Sequence, residues 1–241
     1  MLAVRAPEYF PRLDYAAAML FADRFVLADT YQYVRQSYQN RTTMRNPDGW
    51  QWVTVPLKGR QHGLPNNAVR IRQVRSWRKR HWKAFAYNYR KAPYFEHYED
   101  RLRAFFECPR ELLVDLVIAS VELVHDCLGL RAALVRASEL PGHPAAAADI
   151  LRALRPGTLL VTPETAALDA PLARNAMVLC FDHPTYRQTF DGFEPGMTTL
   201  DLLFNYGPET TEMLRRASRL LPYSEQSGTR LVSAADLKTD A

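Results

Sequence analysis

Met1-Leu2-Ala3-Val4-Arg5-Ala6, Leu13-Asp14-Tyr15-Ala16-Ala17-Ala18-Met19-Leu20-Phe21-Ala22 and Arg24-Phe25-Val26-Leu27-Ala28-Asp29 follow one another at the start of the chain. Their reading decides the fold. The outer two are apolar runs of strand length, and the middle one has the Ala, Leu and Met content of a helix, so the chain opens β-α-β. Further strand candidates follow at Ala132–Arg136, Thr158–Val161 and Ala176–Phe181, with the Ala-rich helix Ala145–Leu154 among them. That alternation predicts an α/β fold: a sheet with a parallel component flanked by helices, a basic N-terminal part and a helix-rich C-terminal part.

Between these stretches, Gln51–Leu57 and Val69–Val74 read as strands joined by the polar loop Lys58–Asn67. Ser76–Lys91 is a helix stopped by Pro93, and Phe95–Glu107 is a second. Pro109 opens a long apolar helix to Leu128, closed by Gly129, which belongs deep in the core. Thr198-x-x-Asp201 has the spacing of a capping box, and Gly207-Pro208 is a stop signal. A last helix is expected over Pro208–Leu221, within a single domain of residues 1–221. Residues 222–241 are expected to form a loosely ordered tail.

With 241 residues and 47% hydrophobic content, the chain can bury a full core. Cys108, Cys127 and Cys180 offer neither a disulfide framework nor a metal-ligand pattern, and the six histidines add no zinc-like spacing. No metal is expected, and no cofactor is identified. A reducing, cytoplasmic setting fits, with neither a signal peptide nor a membrane span. P-loop, Rossmann glycine and nucleophile-elbow motifs are all missing.

Charge is unevenly placed. Residues 1–103 hold 19 basic and 8 acidic groups, and residues 104–241 hold 12 and 18. All four Trp and nine of the twelve Tyr lie in the first part, which marks it as the recognition surface. Between Arg45 and Lys91 there are twelve Lys or Arg and one acid, Asp48. If Ser76 caps a helix, Arg78, Lys79 and Arg80 occupy its first turn, where cations oppose the macrodipole. A helix N-terminus ringed by cations is a seat for phosphate or carboxylate.

Four stretches carry a resemblance. They are Asp23–Asp29; Gln32-Tyr33 with Gln39-Asn40-Arg41; Trp77-Arg78-Lys79-Arg80-His81-Trp82-Lys83 with Ala92-Pro93-Tyr94-Phe95; and Pro184-x-Tyr186-x-Gln188 with Leu200-Asp201-Leu202-Leu203-Phe204-Asn205-x-Gly207. In order and spacing, over about residues 4–210, the chain resembles the WbqC-like family. That resemblance implies a role in surface polysaccharide clusters such as those for O-antigen, with glycyl or other aminoacyl transfer onto sugars. The family opening Gln-Pro-x-Tyr-x-Pro-Trp-x-Gly-Tyr stands here as Ala6-Pro7-Glu8-Tyr9-Phe10-Pro11-Arg12-Leu13-Asp14-Tyr15, and a late Ser-Gly loop stands as Leu160-Val161-Thr162-Pro163-Glu164. Altered substrate choice or lost activity follows from those departures.

Asp29 ends a strand at the edge where α/β sheets bind ligands, with Gln32, Asn40 and Arg41 on the loop after it. Asp29 is the candidate base or amine anchor. Gln32 and Asn40 suit amide or hydroxyl groups, and Arg41 suits a carboxylate or phosphate. The alternative is that Asp29 and Arg41 are an ion pair fixing the loop. At about 100° per residue, Arg78 falls on the face of Trp82, Phe85 and Tyr89, so it is expected to point inward, toward a ligand phosphate or a structural carboxylate such as Asp29 or Asp201. His81 is a second catalytic candidate or a histidine stacked between aromatics, and Lys79 and Lys83 form a positive rim or a solvated face. Tyr186 and Gln188 enter as ligand-binding candidates with the shared stretch around them.

The leading expectation is a transferase moving an acyl or aminoacyl group onto a sugar nucleotide or a similar phosphorylated or carboxylated small molecule. Its rivals are a module binding nucleic acid or an acidic partner, and a degenerate family member. Nucleic acid is not expected as the main partner, because the cations alternate with strand residues and break a continuous track.

Overall fold

The computed structural model describes residues 1–73, 76–163, 165 and 175–223. The opening is β1 (Leu2–Arg5), α1 (Leu13–Phe21) and β2 (Arg24–Leu27), with β1 and β2 parallel from Leu2 opposite Arg24 to Arg5 opposite Leu27. Later strands extend the sheet on both sides: β5 (Ala133–Arg136) beside β2, then β6 (Thr158–Val161) and β7 (Asn175–Phe181) beyond β1, all parallel. The order is β5-β2-β1-β6-β7-β8. The last strand, β8 (Ser218–Pro222), runs antiparallel to β7.

The pleat sorts side chains between two cores. Ala3, Phe25, Leu27 and Leu160 join a large cluster with α1 and with α4 (Leu113–Cys127), the deep helix expected from Pro109 onward. Leu2, Val4, Val26, Ala28 and Leu159 turn to the other face, where Ile150 and Leu151 of α5 (Ala147–Leu154) cover them. Helices α2 (Trp77–Tyr89), α3 (Phe95–Glu107) and α6 (Thr199–Tyr206) extend the large core. Gly207 caps α6 at φ +53, and a Cβ there would lie 2.4 Å from the Tyr94 ring, so the close approach of the Tyr94 segment requires glycine.

Several expectations are corrected. The strand expected over Gln51–Leu57 ends at Thr54, and residues 69–73 of the other expected strand form only isolated bridges. Instead Arg41–Asn46 is a strand, β3, forming a hairpin with β4 (Gly49–Thr54) across Pro47-Asp48. Leu57 and Ile71 share only an isolated bridge, and Val74 lies outside the described residues. The helix expected over Pro208–Leu221 stops early: α7 spans Glu209–Arg216, and β8 follows. The C-terminal part therefore contributes four of the six strands of the main sheet and is not set apart by helices. The expected tail lies outside the described residues beyond Tyr223. Among the described residues no helix is long and apolar enough to cross a membrane.

Candidate functional site

β1 lies at the middle of the sheet, with β2 on one side and β6 on the other, so the topology switches at its carboxyl end. Open α/β sheets bind ligands outside the carboxyl ends of strands at such a switch. The chain leaving β1 places four charged side chains there. Glu8 Oε1 accepts from Arg5 at 3.2 Å and from Arg12 at 3.0 Å, while Asp14 lies 3.6 Å from Arg5 and 3.8 Å from Arg12. Arg5, Glu8 and Arg12 are buried, whereas the Asp14 side chain is 34% exposed. Asp14 is thus the member of the set that reaches solvent.

Backbone chemistry holds this segment. Phe10 has φ 43, in the left-handed region that a bulky residue rarely occupies, and its side chain is fully buried. The Phe10 amide donates to Ser120 Oγ at 3.0 Å, and its carbonyl accepts from Thr42 Oγ1 at 2.9 Å and Thr198 Oγ1 at 3.0 Å. Three hydroxyls from three distant parts of the chain hold one strained residue between Glu8 and Arg12. Such over-determined strain clusters at functional sites.

Charge compensation sets the protonation states. Burial acts to raise the Asp14 carboxyl, but Arg12, Arg5 and the amides at the start of α1 outweigh it and hold the pKa below the usual carboxylate range. Burial acts to lower the Arg12 pKa, but Glu8 and Asp14 more than offset that, so the guanidinium stays charged.

A row of cations and rings leads outward from the set. Arg12 lies over Tyr38 at 4.0 Å, Tyr38 meets Trp52 at 5.4 Å, and Arg41 lies over Trp52 at 3.9 Å. Trp50 meets Trp52 edge-on at 5.8 Å. Tyr38, Arg41, Trp50 and Trp52 are half-buried, so their rims face solvent. The β3–β4 hairpin produces this arrangement, since residues 50 and 52 share a face by strand alternation.

The residues predicted from sequence are not gathered in one cleft. Asp29 accepts from the Ser138 amide at 2.9 Å and from the Ser138 hydroxyl, tying β2 to the chain after β5, and no Asp29–Arg41 ion pair occurs among the described residues. Asn40 accepts from the Tyr33 hydroxyl at 2.9 Å and donates to the Val55 carbonyl at 3.1 Å. Gln32 is exposed, and Arg41 stands at the start of β3 rather than in a loop. Arg78 does not point inward. The buried face of α2 is Trp77, His81, Phe85, Asn88 and Tyr89, which keeps Phe85 and Tyr89 of the expected stripe but not its first turn, and Arg78 donates to the Glu107 carbonyl at 3.4 Å at the surface. Ser76 makes no capping bond, and Lys79 and Lys83 are exposed. His81 uses both nitrogens inside the core: Nε2–H donates to the Thr54 carbonyl at 3.1 Å, so Nδ1 accepts from Tyr9 O–H at 3.0 Å. Burial pushes its pKa down to about 4.

Tyr186 and Gln188 do come together, around a carboxylate expected to serve as a cap. Thr198 caps α6 through the Leu200 amide, while Asp201 is fully buried and accepts from Tyr186 O–H at 2.7 Å and Gln188 Nε2 at 3.0 Å. Gln188 Oε1 accepts from Arg45 Nε at 2.9 Å. Arg45 also donates to the Asn46, Gly49 and Asp191 carbonyls, and its amide donates to the Tyr89 hydroxyl oxygen at 3.0 Å. Burial raises the Asp201 pKa against the pull of these neighbours. This network locks β3, α2, α6 and the chain at residues 186–196 together beneath the hairpin. Among the described residues no group of three or more His, Cys, Asp or Glu is placed to hold a metal ion.

Comparison with known families matches residues 6–213 to the WbqC-like protein family. The chain belongs to that family. It is also 28% identical over 240 residues to the uncharacterized protein Rv1507c of Mycobacterium tuberculosis (strain ATCC 25618 / H37Rv), covering 89% of this chain and 97% of that one. No solved structure matches. Arg12 pairs with both Glu8 and Asp14 in space. Sequence reading misses this cluster, because residues 6–12 are not helical and the spacing of residues 5, 8 and 12 implies contact only on a helix.

Proposed function

We propose that this WbqC-like protein is a transferase that moves an acyl or aminoacyl group, glycyl among them, onto an amine or hydroxyl of a sugar nucleotide, with its site at the carboxyl end of β1. The observation that carries the reading is the charged set Arg5–Glu8–Arg12–Asp14 at the switch point, held by the strained Phe10. Erosion of a site would leave unpaired or disordered substitutions. Here Arg12 and Asp14, at two of the altered positions, are ion-paired, which favours altered substrate choice over lost activity.

In this reading Asp14, ionised and partly open, orients the acceptor amine or hydroxyl by accepting its hydrogen bond; as the acceptor attacks the acyl carbon the bond from that carbon to the donor's leaving group breaks, and the acceptor's proton passes to the departing group. The row from Arg12 to Arg41 holds the acceptor, with the planar base against the Tyr38–Trp52 pair and a phosphate on Arg41. The chemistry is assigned to direct transfer without a covalent enzyme intermediate: the charged set contains no cysteine, Cys127 and Cys180 are partly buried, burial raises the Cys127 thiol, and the exposed Cys108 stands at the end of α3.

The test is isothermal titration of a panel of nucleotide sugars against the parent protein and single variants. Asp14→Asn and Arg41→Ala are each expected to weaken binding about tenfold or more, as removal of one charge-assisted hydrogen bond does. Asp29→Asn is expected to leave affinity per folded molecule unchanged. The reverse pattern would return the site to Asp29.

A further inference from the structure

Between Gly49 and Phe95 the chain has eleven Lys or Arg and no Asp or Glu. The structure shows where this excess goes. Leu57 and Ile71 bridge with their side chains inward, and the flanking bonds from Lys58 N to Arg70 O and from Arg72 N to Pro56 O make a short ribbon. Its outer side exposes Lys58, Arg70 and Arg72. On α2 the buried stripe through Trp77, His81 and Phe85 leaves Lys79, Arg80, Lys83, Tyr87 and Arg90 on the outer face. Of these eight residues, only Arg70 has an acidic partner among the described residues, Glu111 at 3.3 Å.

The ribbon and the start of α2 share one anchor, which also carries the exposed acids Glu107 and Glu111. Both are fastened to the connector between α3 and α4: Ile71 N donates to Glu111 O at 2.8 Å, Gln73 Nε2 to Arg110 O at 2.9 Å, and Arg78 to Glu107 O at 3.4 Å. The strand alternation that suggested an interrupted track turns the apolar residues in and the cations out, so the strand residues do not separate the cations of the ribbon.

We propose that this face docks single-stranded nucleic acid, apart from the site at the carboxyl end of β1. Exposed cations without acidic partners fit a phosphodiester backbone, and arginine forks onto phosphate. Tyr87 is 68% exposed and lies one helical turn beyond Lys83 and two beyond Lys79, so a ring stands in line with the cations for an unpaired base to stack on. An acidic protein partner would need apolar anchors at the centre of its footprint, and the eight residues named supply none besides that ring.

The experiment is fluorescence anisotropy with a labelled 20-nucleotide oligouridylate and the matching oligothymidylate, titrated with the full chain at rising salt. Oligouridylate tighter than oligothymidylate assigns the face to RNA, and equal binding assigns it to the backbone shared by both. Lys79→Glu with Lys83→Glu is expected to weaken binding at least tenfold and to flatten the salt dependence by about 0.7 in log–log slope for each phosphate no longer neutralised. Tyr87→Ala is expected to weaken it by about 5- to 100-fold. Lys58→Glu with Arg72→Glu, which leaves α2 intact, is expected to weaken it as well. Undetectable binding by the parent, binding that survives all three variants, or displacement by polyglutamate at equal charge concentration would overturn the proposal.

Discussion

Two charged regions of this chain follow opposite rules. At the carboxyl end of β1 the charges are balanced and, Asp14 apart, buried, two arginines against two carboxylates within hydrogen-bonding or ion-pair reach. On the outer face of α2 they are exposed and unbalanced. The difference follows from solvation, since a buried charge without a partner costs several kcal/mol, whereas an exposed one is screened by water and salt. A sequence therefore advertises the second kind of site by a run of like charge. It conceals the first kind among neutral-sum residues, visible only when the fold brings them together. His81 joins the two regions: it stands on the inner side of the basic helix and accepts from Tyr9, in the segment that carries the buried set.

The largest effect expected is at the balanced set. Glu8→Ala would remove the shorter carboxylate contact of both Arg5 and Arg12, leaving the longer ones to Asp14, and cost about 3–5 kcal/mol, the typical penalty for breaking a buried pair. Urea melts would show it. The double change Glu8→Ala with Arg12→Ala should cost less than the sum of the singles, and strict additivity would mean that the charges do not act together.

Next comes the histidine between the regions. Its folded pKa of about 4 lies below the ordinary 6.5, so its contribution to stability is present above pH 6.5 and is lost as pH falls toward 4. The full span is about 3 kcal/mol, from 1.36 kcal/mol per pKa unit. Melts at pH 7 and pH 4.5 should show less of this acid loss in His81→Gln than in the parent.

A smaller change is expected at Asp29. Its bonds to Ser138 predict that Asp29→Asn lowers stability by about 1–3 kcal/mol, the cost of a poorly satisfied buried group. The smallest lies on the exposed face, where Arg80→Glu removes a cation from the first turn of α2 and should stabilise the free protein by about 0.3–1 kcal/mol. A loss of several kcal/mol there would show that the face is internally paired and would erase the contrast.

The legible parts of the fold were those set by local pattern. β1, β2, β6 and β7 are apolar runs, and their positions follow from side chains that need burial whatever their neighbours. β3 was hidden because Arg41-Thr42-Thr43-Met44-Arg45-Asn46 has no apolar alternation. Its burial depends on distant partners, with Thr42 and Thr43 donating to the Phe10 and Gly196 carbonyls. β8 was hidden because Ser218–Pro222 continues a helical pattern, and only pairing with β7 makes it a strand. At the site, Asp201 matched a capping signal but turns inward to Tyr186 and Gln188. Arg78 shares its helix face with Phe85 and Tyr89, which are buried, but in the first turn only Trp77 reaches the core, and Arg78 lies at the surface on the Glu107 carbonyl; how far along a helix its cover extends is not written in its periodicity.

The central claim is that small substrates belong to the balanced set and its aromatic row, not to the cationic helix start or to Asp29. A crystal soaked with a nucleotide sugar tests it most directly. The account predicts the ligand beside Trp52, with phosphate on Arg41 and the acceptor group next to Asp14. Phosphate seated on the Ser76–Arg80 turn, or an acceptor group held by Asp29, would contradict it.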